Sequence, residues 1–439
     1  MRSKVIRNTR ELSASRGPED DSRPRGLNLS VVIPVHNEGP RLSACLSRLL
    51  ASDYEGFEVI VVDDGSNDDT VEAARQFDVR LHCLSTCRGP AAARNAGAKI
   101  AEGDYLVFID ADVWVHTDTL ANLAATITTQ PAPDAVFGSY DTDPPAGNFI
   151  SNYKNLFHHF VHQTSHEQAS TFWSGCGAIK KDVFFSVGGF DPRFTRPTVE
   201  DIELGMRLRR AGYRIVLNKQ LQVTHAKTFT LAGMIRSDVF DRAIPWTRLI
   251  LRERSIPNDL NLSLPQRLSA LLACGLLLMF AVGCVKQPLL LLVPVVSLGL
   301  VSALDRWSAR DRIPTWARWL GVGVMLIAIA WPGIALGVWS LAGLLLLAGI
   351  VSLNAGFYRF FAHARDPLFA LAIVPLHLLY YAYSVVVFLC VTASHLLAKV
   401  FGGSKPQEPP WGEGANAEPT ELQSPLPESV QKSVREPAR

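Results

Sequence analysis

The 439-residue sequence predicts an α/β domain with a mostly parallel sheet, followed by an α-helical transmembrane domain. Two observations predict this division. Strand-like and helix-like segments alternate up to about Pro265. Beyond that point come long apolar runs without charge, each one or two bilayer thicknesses in length. The net charge of +2 is nearly balanced, which argues against nucleic acid as the main partner.

Three strand–helix pairs precede a fourth strand in the first part of the chain. The predicted strands are 31–35, 57–62, 79–84 and the run 105–113. The predicted helices are 41–50, 71–77 and 91–101. This alternation predicts parallel strands joined by right-handed crossovers.

Polar and acidic residues follow these strands. They are Asn37 and Glu38, then Asp63 and Asp64, then Asp110 and Asp112. In an extended chain Asp110 and Asp112 would point the same way. Open α/β sheets bind their ligands at the carboxyl ends of the strands, and paired carboxylates suit a hard divalent cation that bridges to phosphates. For any one of these motifs alone, a solvated acidic turn is the alternative interpretation.

The motifs together resemble those of the family 2 glycosyltransferases with the GT-A fold. The matching segments are Pro34-Val35-His36-Asn37-Glu38, Val61-Val62-Asp63-Asp64-Gly65-Ser66, Ala93-Arg94-Asn95-Ala96-Gly97, Asp110-Ala111-Asp112 and Glu200-Asp201. They occur in the order of the family, each after a predicted strand or at the start of a helix. The resemblance covers roughly residues 29–229.

The resemblance implies transfer of a sugar from a nucleotide-sugar, such as a UDP- or GDP-sugar, with Mg²⁺ or Mn²⁺ as cofactor. Asp112 would hold the cation, and Asp110 would share it or lie near the ribose. Asp201 would be the general base. A single base without a second nucleophilic carboxylate implies direct displacement with inversion. The residues expected to bind the nucleotide-sugar are Pro34, Asn37, Glu38, Asp63, Asp64, Arg94 and Asp110, and those on the acceptor side are Gly175, Glu200 and Trp246.

Several of these residues have a simpler interpretation. Glu38 would also suit the first turn of a helix, where the dipole favours an acid. Arg94 would contact the base or a phosphate, or pair with a surface carboxylate. Glu200 and Asp201 would also be ordinary acidic residues at a helix N-terminus. His225 is expected to contact the metal or a phosphate, or to be a strand-end histidine with a protein partner.

Residues 230–265 are predicted to form an amphipathic segment at the membrane surface, or a helix packed on the soluble domain. Asp238 and Arg242 fall on the same face as its apolar residues, so the apolar stripe is short. The segment 242–246 resembles the Gln/Arg-x-x-Arg-Trp motif of processive synthases, but Pro245 stands in place of the second Arg. This departure counts against a polymerising enzyme.

The transmembrane domain is predicted over 266–400, with four or five helices. They are 268–285, 287–304, 319–333, 335–356 and 367–392. Arginines concentrate in the loop 306–318 and in a second loop that holds Arg359 and Arg365, which predicts that these loops and the catalytic domain are cytoplasmic. Residues 1–28 lack the apolar core of a signal peptide, and both 1–28 and 401–439 are predicted to be disordered.

These features predict a multi-pass protein of the cell (inner) membrane whose cytoplasmic domain transfers a sugar to a lipid-linked or saccharide acceptor near membrane lipids. A processive polysaccharide synthase is one alternative. An inactive membrane scaffold that keeps the fold is another, and the presence of Asp63, Asp64, Asp110, Asp112 and Asp201 together argues against it.

Overall fold

The computed structural model describes residues 27–254, 263–288, 292–308 and 338–401. The predicted helix 319–333, residues 1–26 of the predicted N-terminal segment and the tail from residue 402 lie outside the described residues.

Eight strands among the described residues form one sheet. They are β1 Leu29–Val35, β2 Phe57–Asp63, β3 Arg80–Cys83, β4 Tyr105–Ile109, β5 Val113–Trp114, β6 Ala135–Tyr140, β7 Cys176–Lys180 and β8 Ile215–His225. Their order is β3-β2-β1-β4-β7-β6-β8-β5. The pairs β1–β2, β1–β4, β2–β3 and β6–β8 are parallel, whereas β7 runs antiparallel to both of its neighbours and β5 is antiparallel to β8. The predicted α/β class with a mostly parallel sheet is confirmed.

Helices cover both faces of this sheet. They are α1 Gly39–Leu49, α2 Thr70–Ala74, α3 Pro90–Ile100, α4 Thr119–Ile127, α5 Phe149–Thr164, α6 Lys181–Ser186 and α7 Glu200–Arg210. Alternate residues of β1 enter different cores: Ile33 packs in the core of α1, and Val32 packs in the core of α3 and α7. A strand buried on both faces has no polar alternation, which explains the continuous apolar runs of β1 and β2.

The run 105–113 is not one strand, in contrast to the prediction. β4 ends at Ile109, where its pairing with β7 ends. The chain then turns, with the Val113 amide donating to the Asp110 carbonyl at 2.9 Å. Strand alternation therefore does not place Asp110 and Asp112 on one face. The turn allows two carboxylates to leave the buried strand and reach the sheet edge.

The C-terminal region begins with α8 Leu231–Arg236, a π-helical turn Ser237–Ala243 and α9 Ile244–Glu253. We refer to Ser237–Glu253 as the junction segment. The later helices are α10 Leu264–Lys286, α11 Leu292–Ser308, α12 Val338–Leu353, α13 Ala355–Ala364, α14 Pro367–Ala372 and α15 Val374–Val400.

Within the described residues, two helical stretches are long and apolar enough to span a membrane, Leu264–Val285 and Pro367–Val400. The pair Leu341–Leu353 and Ala355–Ala364, bent by 63°, would make a third. The residues around Arg359 form helix α13 rather than the predicted loop. Helix α11 overlaps the predicted span 287–304 from Leu292 onwards. Asp305 of this helix accepts a hydrogen bond from Asn148 of the α/β domain at 2.7 Å.

Aromatic side chains join the α/β domain to the C-terminal helices. Phe157 of α5 lies edge-on to Phe357 of α13, with ring centroids 5.6 Å apart, and also contacts His377 of α15. At the end of α13, Arg365 donates to the Asn152 side chain at 2.7 Å and to the Thr142 carbonyl at 2.8 Å. The α/β domain is therefore packed directly on helices α13 and α15.

Candidate functional site

Asp112 lies at the edge of the sheet among positively charged or protonatable groups. The β5–β8 register pairs Val113 with His225, which brings the His225 Nε2 to 3.7 Å from the Asp112 carboxylate. The Lys227 Nζ lies 4.0 Å from the same oxygen. Burial by itself opposes ionisation of Asp112. The nearby His225 ring and the charge of Lys227 nevertheless hold the pKa of this carboxyl well below its usual value.

His225 is fixed by stacking. Its ring lies 4.2 Å from the ring of Tyr140 at an interplanar angle of 12°, and the residue is only 6% exposed. The histidine therefore faces Asp112 with a restricted orientation. Of its two predicted environments, the structure gives it a protein partner and places it beside the expected metal carboxylate.

Arg94 joins two acidic residues in the interior. Its guanidinium donates to Asp110 at 2.7 Å and to Glu200 at 2.9 Å, and the residue is 4% exposed. It points from α3 to the gap between the end of β4 and the start of α7, where it reaches the partly exposed Asp110 carboxylate. Glu200 is likewise buried in this pair. The ion pair therefore connects the Asp110 turn to the helix that carries Asp201.

Asp201 is held at the N-terminus of α7. Its carboxylate accepts from the Ser174 amide at 3.2 Å and from the Ile202 amide at 2.8 Å. Burial and the negative charge of Glu200 raise the pKa of Asp201 to about 7, although Arg94 opposes this shift. A carboxylate with a pKa near neutrality is suited to accept a proton at physiological pH.

Asp63, the last residue of β2, and Asp64, the first residue of the loop that follows, are both buried. Asp64 accepts from the backbone amides of Arg88 at 2.8 Å and Gly89 at 2.7 Å, and the Asp63 carboxylate accepts from the Ser66 amide at 3.2 Å. Both carboxylates therefore shape the loops at the strand ends.

Asn37 and Glu38 connect the loops that follow β1 and β2. Asn37 has a positive φ of 55°, and its amide donates to the Ser66 hydroxyl at 2.9 Å while its side-chain oxygen accepts from the Asn67 amide at 2.9 Å. Glu38 precedes α1 and pairs with Arg41 at 2.6 Å. Pro34 lies within β1, at the base of this loop.

On the expected acceptor side, Gly175 is joined by a hydrogen bond to the turn that carries Asp110. The Gly175 carbonyl accepts from the Asp110 amide at 3.3 Å. A Cβ at this position would lie 2.4 Å from the Trp173 ring, so a larger residue would displace that ring. Trp246 is partly buried and packs against the core that contains α7.

The residues at this edge fit a divalent cation of the Mg²⁺ or Mn²⁺ type. No group of three or more His, Cys, Asp or Glu side chains arranged to hold a metal occurs among the residues that the structure describes. Asp112 with His225, and Asp110 close by, offer hard oxygen donors and one imidazole. Cations of this kind commonly take one or two protein carboxylates and complete their shell with substrate phosphates and water.

Three residues of this site were not predicted to contribute to it. Lys227 lies beside Asp112, Tyr140 supports His225, and the Ser174 amide binds Asp201. A lysine two residues after a strand-end histidine was a usable signal for the first. The other two depend on pairing between distant strands and loops, which the local pattern does not contain.

Comparison with known proteins agrees with the resemblance. Residues 30–187 match the family model described as Glycosyl transferase family 2. The glycosyltransferase AglE of Haloferax volcanii is 29% identical over 194 residues, covering 43% of this chain and 63% of the relative. The glycosyltransferase GlyG of Streptococcus pneumoniae is 32% identical over 126 residues, covering 28% of this chain and 42% of the relative. The match to a family 2 glycosyltransferase, predicted from the motifs, is therefore confirmed for this part of the chain.

A further relative is the pre-mycofactocin glycosyltransferase of Mycobacterium tuberculosis, 29% identical over 233 residues, covering 51% of this chain and 48% of the relative. The chain spans 42%, 26% and 63% of the lengths of three curated relatives that it matches. Among solved structures, the mannosyltransferase PcManGT from Pyrobaculum calidifontis in complex with GDP-Man and Mn²⁺ has a TM-score of 0.40 and 18% identity, covering 84% of this chain and 90% of that one.

Proposed function

We propose that this chain is a membrane-anchored, metal-dependent, inverting glycosyltransferase that moves a sugar from a UDP- or GDP-sugar to a lipid-linked or membrane-proximal saccharide acceptor. One observation carries the proposal. Asp201, with a pKa of about 7, is tied through Glu200 and Arg94 to the turn that carries Asp110 and Asp112. A proton acceptor and a cation-binding edge are thus held by one buried ion pair.

The donor would bind along the strand ends. The loops organised by Asn37, Glu38, Asp63 and Asp64 would frame the nucleoside, with Pro34 beneath them. A divalent cation on Asp112, with Asp110 and His225 close by, would neutralise charge on the departing diphosphate. Lys227 would face the same diphosphate, because its ammonium already lies beside Asp112. In the described geometry Arg94 supports this arrangement from inside rather than touching the nucleotide.

The acceptor would approach from the side of Asp201. Its hydroxyl gives its proton to the Asp201 carboxylate while its oxygen attacks the anomeric carbon. The bond from that carbon to the diphosphate oxygen breaks, and the nucleoside diphosphate leaves with the electron pair. One displacement inverts the anomeric configuration. The raised pKa leaves Asp201 ionised above about pH 7 and basic enough to take the proton.

The packing of the α/β domain on α13 and α15 supports a membrane-proximal acceptor. Arg365 joins the end of α13 to Asn152, so the domain is held next to helices that are long and apolar enough to span a bilayer. An acceptor carried by a lipid would diffuse in the plane where this domain is anchored. The concentration of arginines in the sequence 306–318 favours the cytoplasmic face of the cell membrane.

The test is release of free nucleotide by the full chain in nanodiscs. Radiolabelled UDP-, GDP- and dTDP-sugars would be supplied with Mn²⁺ or Mg²⁺, with and without a membrane lipid extract. We expect one donor to be turned over, with lipid-stimulated release that is absent in Asp201→Asn and a labelled product of inverted configuration. Turnover of no donor, with no donor binding in the presence of metal, would instead favour the inactive scaffold. A polymeric product would favour the processive synthase.

A further inference from the structure

A buried charged pair lies outside the candidate active site, where the α/β domain meets helix α15. The Lys154 ammonium of α5 donates to one Asp238 oxygen at 2.5 Å, and the Tyr383 hydroxyl of α15 donates to the other at 2.6 Å. Lys154 is 6% exposed and Asp238 is 5% exposed. Each carboxylate oxygen of Asp238 therefore accepts a hydrogen bond from a different element, one from α5 and the other from α15.

Stability alone does not account for this arrangement. Removing two charges from water costs free energy that their attraction offsets only partly. Well-packed apolar residues at such positions often stabilise a fold equally well or better. Asp238 also lies in the π-helical turn Ser237–Ala243. Such turns are rare and are frequently found at functional sites. In the sequence, the same aspartate interrupts the apolar stripe of this segment.

The junction segment, which begins with this turn, contacts both α7 and the loop that precedes it, so that its contacts lie on both sides of Asp201 in the sequence. Before Asp201, Arg196 donates to Asp241 at 2.9 Å. After it, Arg252 donates to Glu203 of α7 at 3.3 Å.

The far end of α7 is also attached, because Arg210 pairs with Glu253 at the end of α9. The junction segment thus reaches α7 and its preceding loop at three places. A shift of this segment would move the base relative to the strand-end edge.

We propose that Lys154, Asp238 and Tyr383 form a positioning latch through which membrane helix α15 fixes the junction segment and, through it, the helix that carries Asp201. The latch residues are positioning residues, because they act on α7 through the junction segment. The inference rests on the proposed function in so far as Asp201 is the base. It would make transfer depend on the correct seating of the C-terminal helices, and so on the membrane.

The first test is Tyr383→Phe in the full chain in nanodiscs, with Tyr380→Phe as the matched control. The control removes a hydroxyl from the same helix and leaves the hydrogen bond between Tyr383 and Asp238. We expect Tyr383→Phe to speed amide hydrogen exchange in 191–204 and to lower kcat about tenfold, since a hydrogen bond to a charged group is lost. The donor Kd is expected to stay unchanged. Equal behaviour of the two variants would overturn the proposal.

The second test separates positioning from folding. Lys154→Met removes the nearest cation of Asp238 and leaves, among the described residues, only Arg242, 3.9 Å away, whereas Asp238→Leu leaves the buried Lys154 ammonium without its carboxylate. Both changes should lower the Tm, and the double variant removes both buried charges. We expect the double variant to regain most of the Tm but to keep fast exchange in 191–204 and slow transfer, because Leu cannot bind Tyr383.

Recovery of exchange protection and transfer together with the Tm would show that the pair serves stability alone, and would overturn the latch. The exchange measurement does not require turnover. An absence of transfer in the unmodified chain would therefore count against the proposed function and leave the latch to be decided by exchange.

Discussion

Asp112 and Asp201 lie in two regions of the candidate site, and their environments shift the carboxyl pKa in opposite directions. Both are partly buried, and burial disfavours the charge of each. At the sheet edge, His225 and Lys227 outweigh burial and hold the pKa of Asp112 well below its usual value. At the start of α7, the charge of Glu200 adds to burial and raises the pKa of Asp201 to about 7.

This difference indicates a division of labour. A carboxylate that stays ionised is suited to a cation and diphosphate, whereas one that titrates near neutrality is suited to proton transfer. Arg94 stands between the two regions and pairs with a neighbour of each, Asp110 and Glu200. If the two carboxylates have separate roles, substitutions at Asp112 and Asp201 will differ in their effects on donor binding and on transfer.

The largest effect is expected from Asp112→Asn. This change removes the charge that would hold the cation, so donor binding in Mn²⁺ should be lost and nucleotide release should fall about 10³-fold or more. Calorimetric titration of the donor, with and without metal, measures the first effect. Asp118→Asn, an exposed aspartate in the next loop, is the control and should behave like the unmodified chain. Unchanged donor affinity in Asp112→Asn would remove Asp112 from the donor side.

A somewhat smaller loss is expected from Asp201→Asn. Without a general base, transfer should fall by about 10²–10⁴-fold. The donor Kd should change little, because the diphosphate would bind at the other region. Transfer rates and donor titrations on one preparation test both statements. An equal loss of donor binding in Asp112→Asn and Asp201→Asn would contradict the proposed division.

The elements that the sequence predicted correctly are those that local pattern determines. The strand–helix alternation and the apolar runs predicted the mostly parallel sheet and the helices over 268–285 and much of 335–356 and 367–392, because local pattern determines such elements. The strand-end motifs also indicated the loops that follow β1 and β2, which hydrogen bonds from Asn37 to Ser66 and from Asn67 to Asn37 hold together. Local pattern did not reveal that 110–112 is a turn, because the end of β4 is set by its antiparallel partner β7 from far along the chain.

The role of Arg94 was beyond the sequence for the same reason. Its partner Glu200 is 106 residues away, and nothing near Arg94 indicates an interior ion pair. Helix α13 was likewise predicted as a loop, because Arg359 within it and Arg365 just after it suggested a polar connection. In the structure Phe357 and Phe361 of this helix pack against the aromatic side chains of α5.

The pH dependence of transfer and of stability should differ between Asp201 and its Asn variant. Because kcat requires the ionised base, it should rise about tenfold per pH unit below an apparent pKa of about 7 and level off above it. For stability the sign is opposite. The folded state holds the Asp201 proton up to about pH 7, whereas the unfolded chain releases it near 3.8, so folding stability is lost as the pH rises through this window.

The Asp201→Asn variant does not lose folding stability in this way, because asparagine does not titrate. The variant should therefore have a higher Tm than the unmodified chain at pH 8, and the difference should shrink as the pH falls towards 4. Calorimetric scans across this range measure it. Glu200 and Arg94 are the charged groups that face Asp201, so the pH–rate profile of Glu200→Gln should show a lower apparent pKa for transfer. A Tm difference that does not vary with pH would contradict the raised pKa.

The smallest effect is expected from Lys227→Ala. Lys227 is half exposed and lies 4.0 Å from Asp112, and exposed ion pairs of this kind contribute about 0–1 kcal/mol to stability. The Tm should therefore hardly change. A diphosphate brings negative charge to the same place, so the donor Kd should rise by about three- to tenfold at low salt and by less at high salt, where the charge is screened. Lys99→Ala, an exposed lysine on α3, is the control. Since Asp201 is untouched, kcat at saturating donor should stay the same. A fall in kcat without a change in donor Kd would show that Lys227 acts in the proton-transfer step of Asp201 rather than in binding of the diphosphate.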